Sequence, residues 1–236
     1  MKKTLITMML LGLVGTATAG QKLVVAEPTA PVETSSWAVE LGESYNFALN
    51  QFAKSQYMTK KNHINQLATS LTGVYNIDEN QAVTLRFQYG YGSDKFALTG
   101  DSTPNRLREP NIWMREREHT FALMPGYRYT ANIDDKWGVF VGASVGIANE
   151  GIKLTEHVQL DARTDLSAST HHSAYGFAYA VETGVKYNLT ENTYIMGTLS
   201  FSGNTAQPKL KYDGNEVLKG KRQMWLGVGA SVGMKF

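Results

Sequence analysis

The residues best equipped for chemistry in this chain lie in the stretch THHSAY, residues 170–175. His171 and Ser173 are two positions apart, so in an extended segment they share one face. An imidazole beside a hydroxyl can take its proton and make the oxygen a nucleophile, provided an acid orients the ring. The next acid along the chain is Glu182, which has the opposite parity and cannot share that face. The other histidines, His63, His119, His157 and His172, show no H-x-x-x-H spacing with a carboxylate, so no metal site is expected. Gly227 to Gly233, GVGASVG, has the glycine content of a dinucleotide loop but the wrong spacing, and no helix follows it. Asn188-Leu189-Thr190 is a formal glycosylation sequon. These residues give no working catalytic set. The expectation is a protein that is not an enzyme and carries no cofactor or metal.

Composition narrows the class. The 236 residues carry a formal net charge of +2, which argues for no nucleic-acid partner. Mean hydropathy is −0.28, and no apolar run is long enough for a spanning helix. With no cysteine there is neither a disulfide framework nor a lipid-acceptor residue. The first residues have the form of a secretory signal peptide, 1–19. Lys2 and Lys3 precede an apolar core from Leu5 to Val14, and Ala17 and Ala19 supply the small-x-small cleavage pattern. Residues 20–35, with two prolines and no period, read as a flexible arm. The rest, 36–236, is expected to be one domain.

The elements that would carry these residues have a period of two. Val83, Leu85, Phe87, Tyr89 and Tyr91 alternate with Thr84, Arg86, Gln88, Gly90 and Gly92. Trp137 to Ile147 and Tyr175 to Tyr187 repeat the pattern, as does the run from Met224 to Phe236. Weaker copies occupy 37–48, 65–77, 119–129 and 193–202. That makes eight segments, each near the length of about ten residues needed for a membrane-crossing strand. Short connections (78–81, 130–136, 188–192) alternate with long polar ones (49–64, 92–118, 148–172, 203–223). An all-β, eight-stranded, antiparallel up-and-down transmembrane barrel accounts for that sorting, with short periplasmic turns and long external loops. Trp37, Tyr75, Tyr127, Tyr129, Trp137 and Tyr187 fall near the short-turn ends. Tyr45, Phe47, Tyr89, Tyr91, Tyr175, Phe177 and Phe201 fall near the long-loop ends. Two aromatic girdles at the membrane interfaces are expected.

The inward parity carries Glu40, Arg86, Arg128, Glu182, Lys186 and Lys235. Eight strands leave an interior just wide enough for side chains, so these charges should form a network that plugs the lumen. Counting steps from the periplasmic ends pairs Glu40 with Arg86 and leaves Arg128 and Lys235 near the periplasmic mouth. Glu43 has the lipid-facing parity mid-strand, and a bulge at Gly42 would turn it inward. Glu109, Glu116, Glu118, Arg106 and Arg108 read as solvated loop charges. Arg115 and Arg117, outward at the external rim, could meet lipopolysaccharide phosphates.

Signal peptide, alternating segments and final strand together resemble the small eight-stranded outer-membrane barrels of the outer membrane protein A and X types, over about 36–236. The resemblance implies a cell outer membrane location in a Gram-negative envelope. It implies contact with outer-membrane lipid and lipopolysaccharide, a monomer, and a terminal strand read by the barrel-assembly machinery. Leu226, Val228, Val232, Met234 and Phe236 match that assembly pattern. A structural or surface-display role follows, with a narrow pore or small-molecule transporter as the alternative. The His171/Ser173 pair resembles that of the outer-membrane lipid A 3-O-deacylases, but the asparagine that follows the serine there is Ala174 here.

Overall fold

A computed structural model describes residues 37–50, 53–54, 63–97, 111–159, 165–212 and 215–236. The expected signal peptide and arm lie outside these residues. The described residues form eleven strands: β1 (Trp37–Ala48), β2 (Ala53–Lys54), β3 (Gln66–Asn76), β4 (Gln81–Ala97), β5 (Asn111–Asn132), β6 (Trp137–Gln159), β7 (Asp165–Asn188), β8 (Thr193–Asn204), β9 (Lys209–Tyr212), β10 (Asn215–Gly220) and β11 (Gln223–Lys235). Among the described residues no helix is long and apolar enough to cross a membrane.

Eight of the strands close into an antiparallel barrel in the order β1-β11-β8-β7-β6-β5-β4-β3. Pleating sends alternate side chains to opposite faces. Val39, Leu41, Leu71, Leu85, Phe87, Leu123, Val141, Val181, Leu199 and Val228 are all exposed on the outside. Ala38, Ala68, Val74, Ala122, Met124, Phe140 and Ala178 are buried within. A soluble domain would bury the first set. Here the apolar residues belt the barrel, and lipid is the solvent that suits them. Closure joins β1 to β11 from Ala38↔Lys235 to Ala48↔Trp225, and the Phe236 N–H donates to the Trp37 carbonyl at 2.9 Å. No barrel edge is left unpaired.

The three short turns share one device. Asp78 Oδ1 accepts from the N–H groups of Asn80 and Gln81, Asp134 Oδ1 from those of Lys136 and Trp137, and Thr190 Oγ1 from those of Asn192 and Thr193. A side-chain oxygen thus satisfies backbone donors that the ladder cannot reach. The Trp137 N–H, then the Lys136 N–H, hold the Asp134 carboxyl below the usual range. A depressed folded-state pKa adds stability above the unfolded-state value, lost as pH falls through the folded one. In Asp134→Ala, amide-exchange protection of Lys136 and Trp137 should drop at neutral pH. Wild-type protection should converge on the variant's once the pH falls below the carboxylate range.

On the other side the strands run further than hydrophobic alternation predicts. β5, β6 and β7 have 22, 23 and 24 residues, and β6 pairs with β7 as far as Gln159↔Asp165. Much of the expected loops 92–118 and 148–172 is therefore sheet, and the expected loop 203–223 holds β9 and β10, joined to β2 in a small separate sheet. On β5 the alternation fades because both faces are polar, Arg115, Arg117 and His119 on one and Glu116 and Glu118 on the other; on β6 it inverts, with Ile152 and Leu154 buried inward. His157, His171 and His172 accordingly lie on strands, and only His63 precedes one.

Glu43 is not turned inward. The register runs unbroken through Gly42↔Ser231, Glu43↔Ala230 and Ser44↔Gly229 on one side, and through Gly42↔Ser70, Glu43↔Thr69 and Ser44↔Ala68 on the other. Without an extra residue there is no bulge to change parity. Glu43 remains exposed on the lipid side, where its Oε1 accepts from Thr69 Oγ1 at 2.6 Å.

Candidate functional site

The inner face is built from small residues with a few long charged ones laid across them. Two cross-strand rows have the same design. In the first, Arg128 on β5, Gly142 on β6 and Glu182 on β7 stand side by side. Gly142 has no side chain, and a Cβ there would come within 3.2 Å of the Glu182 Cγ and Oε1. Arg128 and Glu182 therefore meet over a bare backbone floor, Nη2 to Oε1 at 3.4 Å. In the second row, Glu40 on β1, Gly233 on β11 and Tyr194 on β8 are aligned. The Tyr194 ring lies over Gly233 and its hydroxyl donates to Glu40 Oε1 at 2.7 Å.

Arg128 joins the rows across the lumen. Its Nη1 and Nη2 reach Glu40 Oε1 and Oε2 at 2.6 and 3.0 Å, a bidentate pair, and its guanidinium lies 5.1 Å from the Phe140 ring centre. Arg86 Nη2 meets Glu182 Oε2 at 2.5 Å. The chain Arg86–Glu182–Arg128–Glu40–Tyr194 thus crosses the interior without a break. Glu40 is 3% exposed and Arg128 5%, so this is a desolvated network in which each charge has an opposite neighbour.

The expected Glu40–Arg86 pairing does not occur. The two share a row, Glu40↔Thr72↔Arg86, but Thr72 carries a side chain between them where the two joined rows have glycine. Strands tilt by about 35–45° in such barrels, so steps from the periplasmic end do not give a common height across the lumen. Arg128, opposite Ala82 near the short-turn end of β4, is the central link of the network. Lys186 and Lys235 join it through the Tyr194 ring rather than through an ion pair with a carboxylate among the described residues. Their Nζ atoms lie 4.4 and 6.0 Å from the Tyr194 ring centre. Below the network, Ala38, Val74, Ala82, Phe140 and Met196 pack with Tyr194 as an apolar floor. Beside it a cavity of about 60 Å³ is lined by Ser44, Asn46, Ser70, Thr72 and Ser200. That is room for a few waters.

Three carboxyls missed by the sequence reading lie higher in the interior. Glu116, Glu118 and Glu150 are each 0% exposed. They are not solvated loop charges, because the strands extend and their parity is inward. Once β5 is carried past His119, the alternation Glu116-Arg117-Glu118 gives that placement.

On the outside, Trp37 packs on Tyr75 with ring centres 5.0 Å apart, and Trp137 on Tyr187 at 4.6 Å. The Tyr127 hydroxyl donates to Gln81 Oε1 at 2.5 Å, and Tyr129 is exposed nearby. Leu226, Val228, Val232, Met234 and Phe236 are all exposed on the outward parity. His171 and Ser173 lie on the outer face of β7, whereas Glu182 faces the lumen and is held by Arg86 and Arg128. The acid needed to complete a catalytic set is on the wrong side of the sheet. Among the described residues no group of three or more His, Asp or Glu could hold a metal ion.

No protein-family model matches the chain, and no curated protein does. Solved structures do match. Neisserial surface protein A is 13% identical, with 87% of this chain covered and 100% of that one, at a TM-score of 0.42. Ail, the attachment invasion locus protein of Yersinia pestis, solved with a heparin analogue, is 14% identical, with 84% and 99% covered, at 0.40. The outer membrane protein OprG from Pseudomonas aeruginosa is 9% identical, with 86% and 98% covered, at 0.43. The likeness is one of fold alone. On its own geometry, a closed eight-stranded barrel with an exposed apolar belt, the chain is an outer-membrane β-barrel.

Proposed function

We propose that the protein is a plugged, non-conducting barrel whose role in the outer membrane is structural, holding its external segments at the cell surface. The observation that carries this is the unbroken chain from Arg86 to Tyr194 across the lumen, backed by the apolar floor beneath it. An ion crossing here would have to part a desolvated network of opposite charges. On this reading the protein works as a monomer, without catalysis or cofactor. Its partners are outer-membrane lipid and lipopolysaccharide, and the barrel-assembly machinery during insertion.

The second reading is a narrow pore. The polar cavity beside the network favours it, since Arg86, Arg128, Glu40 and Glu182 are among its lining. Planar-bilayer recording of the refolded protein separates the two. Plugging predicts no steady unit conductance from the wild type. It predicts brief openings from Arg86→Ala, which frees Glu182 on one side. A stable channel of hundreds of picosiemens from the unmutated protein would refute the plug.

A further inference from the structure

Just above the external aromatic ring, the outer face of the wall formed by β5, β6 and β7 collects bases in adjoining rows. Arg117, Lys153 and His171 are direct cross-strand neighbours. The row beneath is His119, Gly151 and Ser173. All six share the outward parity. Directly opposed side chains stand about 4.5–5.5 Å apart at Cβ, and like charges so placed repel. No carboxylate on these rows offsets them: Glu118 and Glu150 alternate with them and point inward, where they are buried. His119 lies within charge-interaction range of Arg117, Lys153 and His171. Arg117 also keeps a buried Nε without a hydrogen-bond partner.

The centre of this cluster is a glycine over which the His171 ring lies. Gly151 offers only backbone, and a Cβ placed there would come within 3.1 Å of His171 Nε2. The device matches the lumen, where Gly142 lets Arg128 and Glu182 meet over bare backbone. Here the residues around the glycine are donors, with no acceptor among them of opposite charge. Tyr89 Oη sits 2.8 Å from His119 Nδ1, which fixes that ring and leaves Nε2 for a ligand. Below the cluster are the exposed rings of Phe121, Tyr175 and Phe177, with Tyr175 82% exposed.

We propose that this cluster is a binding site for a tetrahedral phosphate group, held by Arg117, Lys153, His119, His171 and Ser173, and that the phosphate belongs to a lipid headgroup. Guanidinium, ammonium, imidazole and hydroxyl donors gathered on two adjoining rows suit a phosphate monoester, whose oxygens accept from several directions at once. A lipid rather than a soluble phosphate is the source because the cluster opens on the barrel's outer face, directly over the aromatic ring where headgroups lie. The proposal rests on the outer-membrane reading and adds to it a specific seat for an anionic lipid.

The test is native mass spectrometry of the full chain released from vesicles of phosphatidylcholine containing phosphatidic acid. Wild type should retain phosphatidic acid over phosphatidylcholine by about tenfold. Lys153→Gln with His171→Gln should abolish that preference, and Lys153→Arg should keep it. Lys136→Gln, in a periplasmic turn, is the control for bulk charge. Equal retention of both lipids by wild type would overturn the site, as would an equal loss in the Lys136→Gln control. Displacement of phosphatidic acid by millimolar inorganic phosphate would overturn the lipid assignment. Heat-modifiability on a gel reports the folded barrel in each sample. A wild type that never becomes heat-modifiable in vesicles would refute the barrel reading itself, a result distinct from a folded barrel without lipid preference.

Discussion

Glu40→Ala should lower the stability of the barrel by about 3–5 kcal/mol. Glu40 accepts both Nη atoms of Arg128 and the hydroxyl of Tyr194, at 2.6, 3.0 and 2.7 Å. Removing it leaves a guanidinium that is almost wholly buried, with Glu182 at 3.4 Å as its remaining acid. Glu182 cannot fully compensate, since its other oxygen already holds Arg86. Tyr194 loses its acceptor in the same stroke, and its ring cannot swing away without exposing Gly233 beneath it. Urea unfolding in vesicles, followed by tryptophan fluorescence, reads the change. A second variant separates the worth of the pair from the cost of breaking it. Glu40→Leu with Arg128→Met removes both charges and should recover most of the loss, because a buried pair often contributes little net stability over apolar residues of similar size. If Glu40→Ala unfolds like wild type, the network is solvated and the plug is loose.

The architecture was readable because lipid and lumen impose opposite demands on alternate residues. Val83 to Gly92 states that demand plainly: apolar on odd positions, small or polar on even ones. The same signal named the six inward charges. It could not pair them, because a pairing depends on where opposite walls of a tilted barrel come level. The register supplies that. Arg128 and Glu182 are next but one in a row, and the glycine between them, in Trp137-Gly-Val-Phe-Val-Gly142, is as visible in the sequence as the charges. Small inward residues flanked by long ones mark where side chains cross. Legibility ended at the membrane surface. Beyond His119 the outward apolar residues stop, and Glu116, Glu118 and Glu150 pass for loop residues although the ladder continues through them. Arg117, His171 and Ser173 were legible one by one from their parity, but Gly151 and Lys153, which join them into rows, passed for loop residues for the same reason.

Glu43→Leu should move stability the other way, raising it by about 1–2 kcal/mol. Glu43 lies six residues above Trp37 on a strand of 12, so it faces the middle of the apolar belt, between Leu41 and Tyr45. Charged groups on the lipid face cost most at that depth, acids less than bases. Its one hydrogen bond comes from Thr69 across the strand pair, and its other cross-strand neighbour is Ala230, which offers no donor from its side chain. Leucine would extend the belt already formed by Leu41, Leu67, Leu71 and Val228 around it. Glu43→Gln should give part of the gain, since it removes the charge and keeps the contact to Thr69. Thr69→Val should lose stability, because it leaves the carboxylate without a donor in hydrocarbon. The three variants together bracket the cause: a ranking of Leu above Gln above wild type assigns the cost to charge in lipid. Loss of stability in Glu43→Leu would mean that the carboxylate meets a polar group on that face, and that this part of the barrel wall is not surrounded by acyl chains.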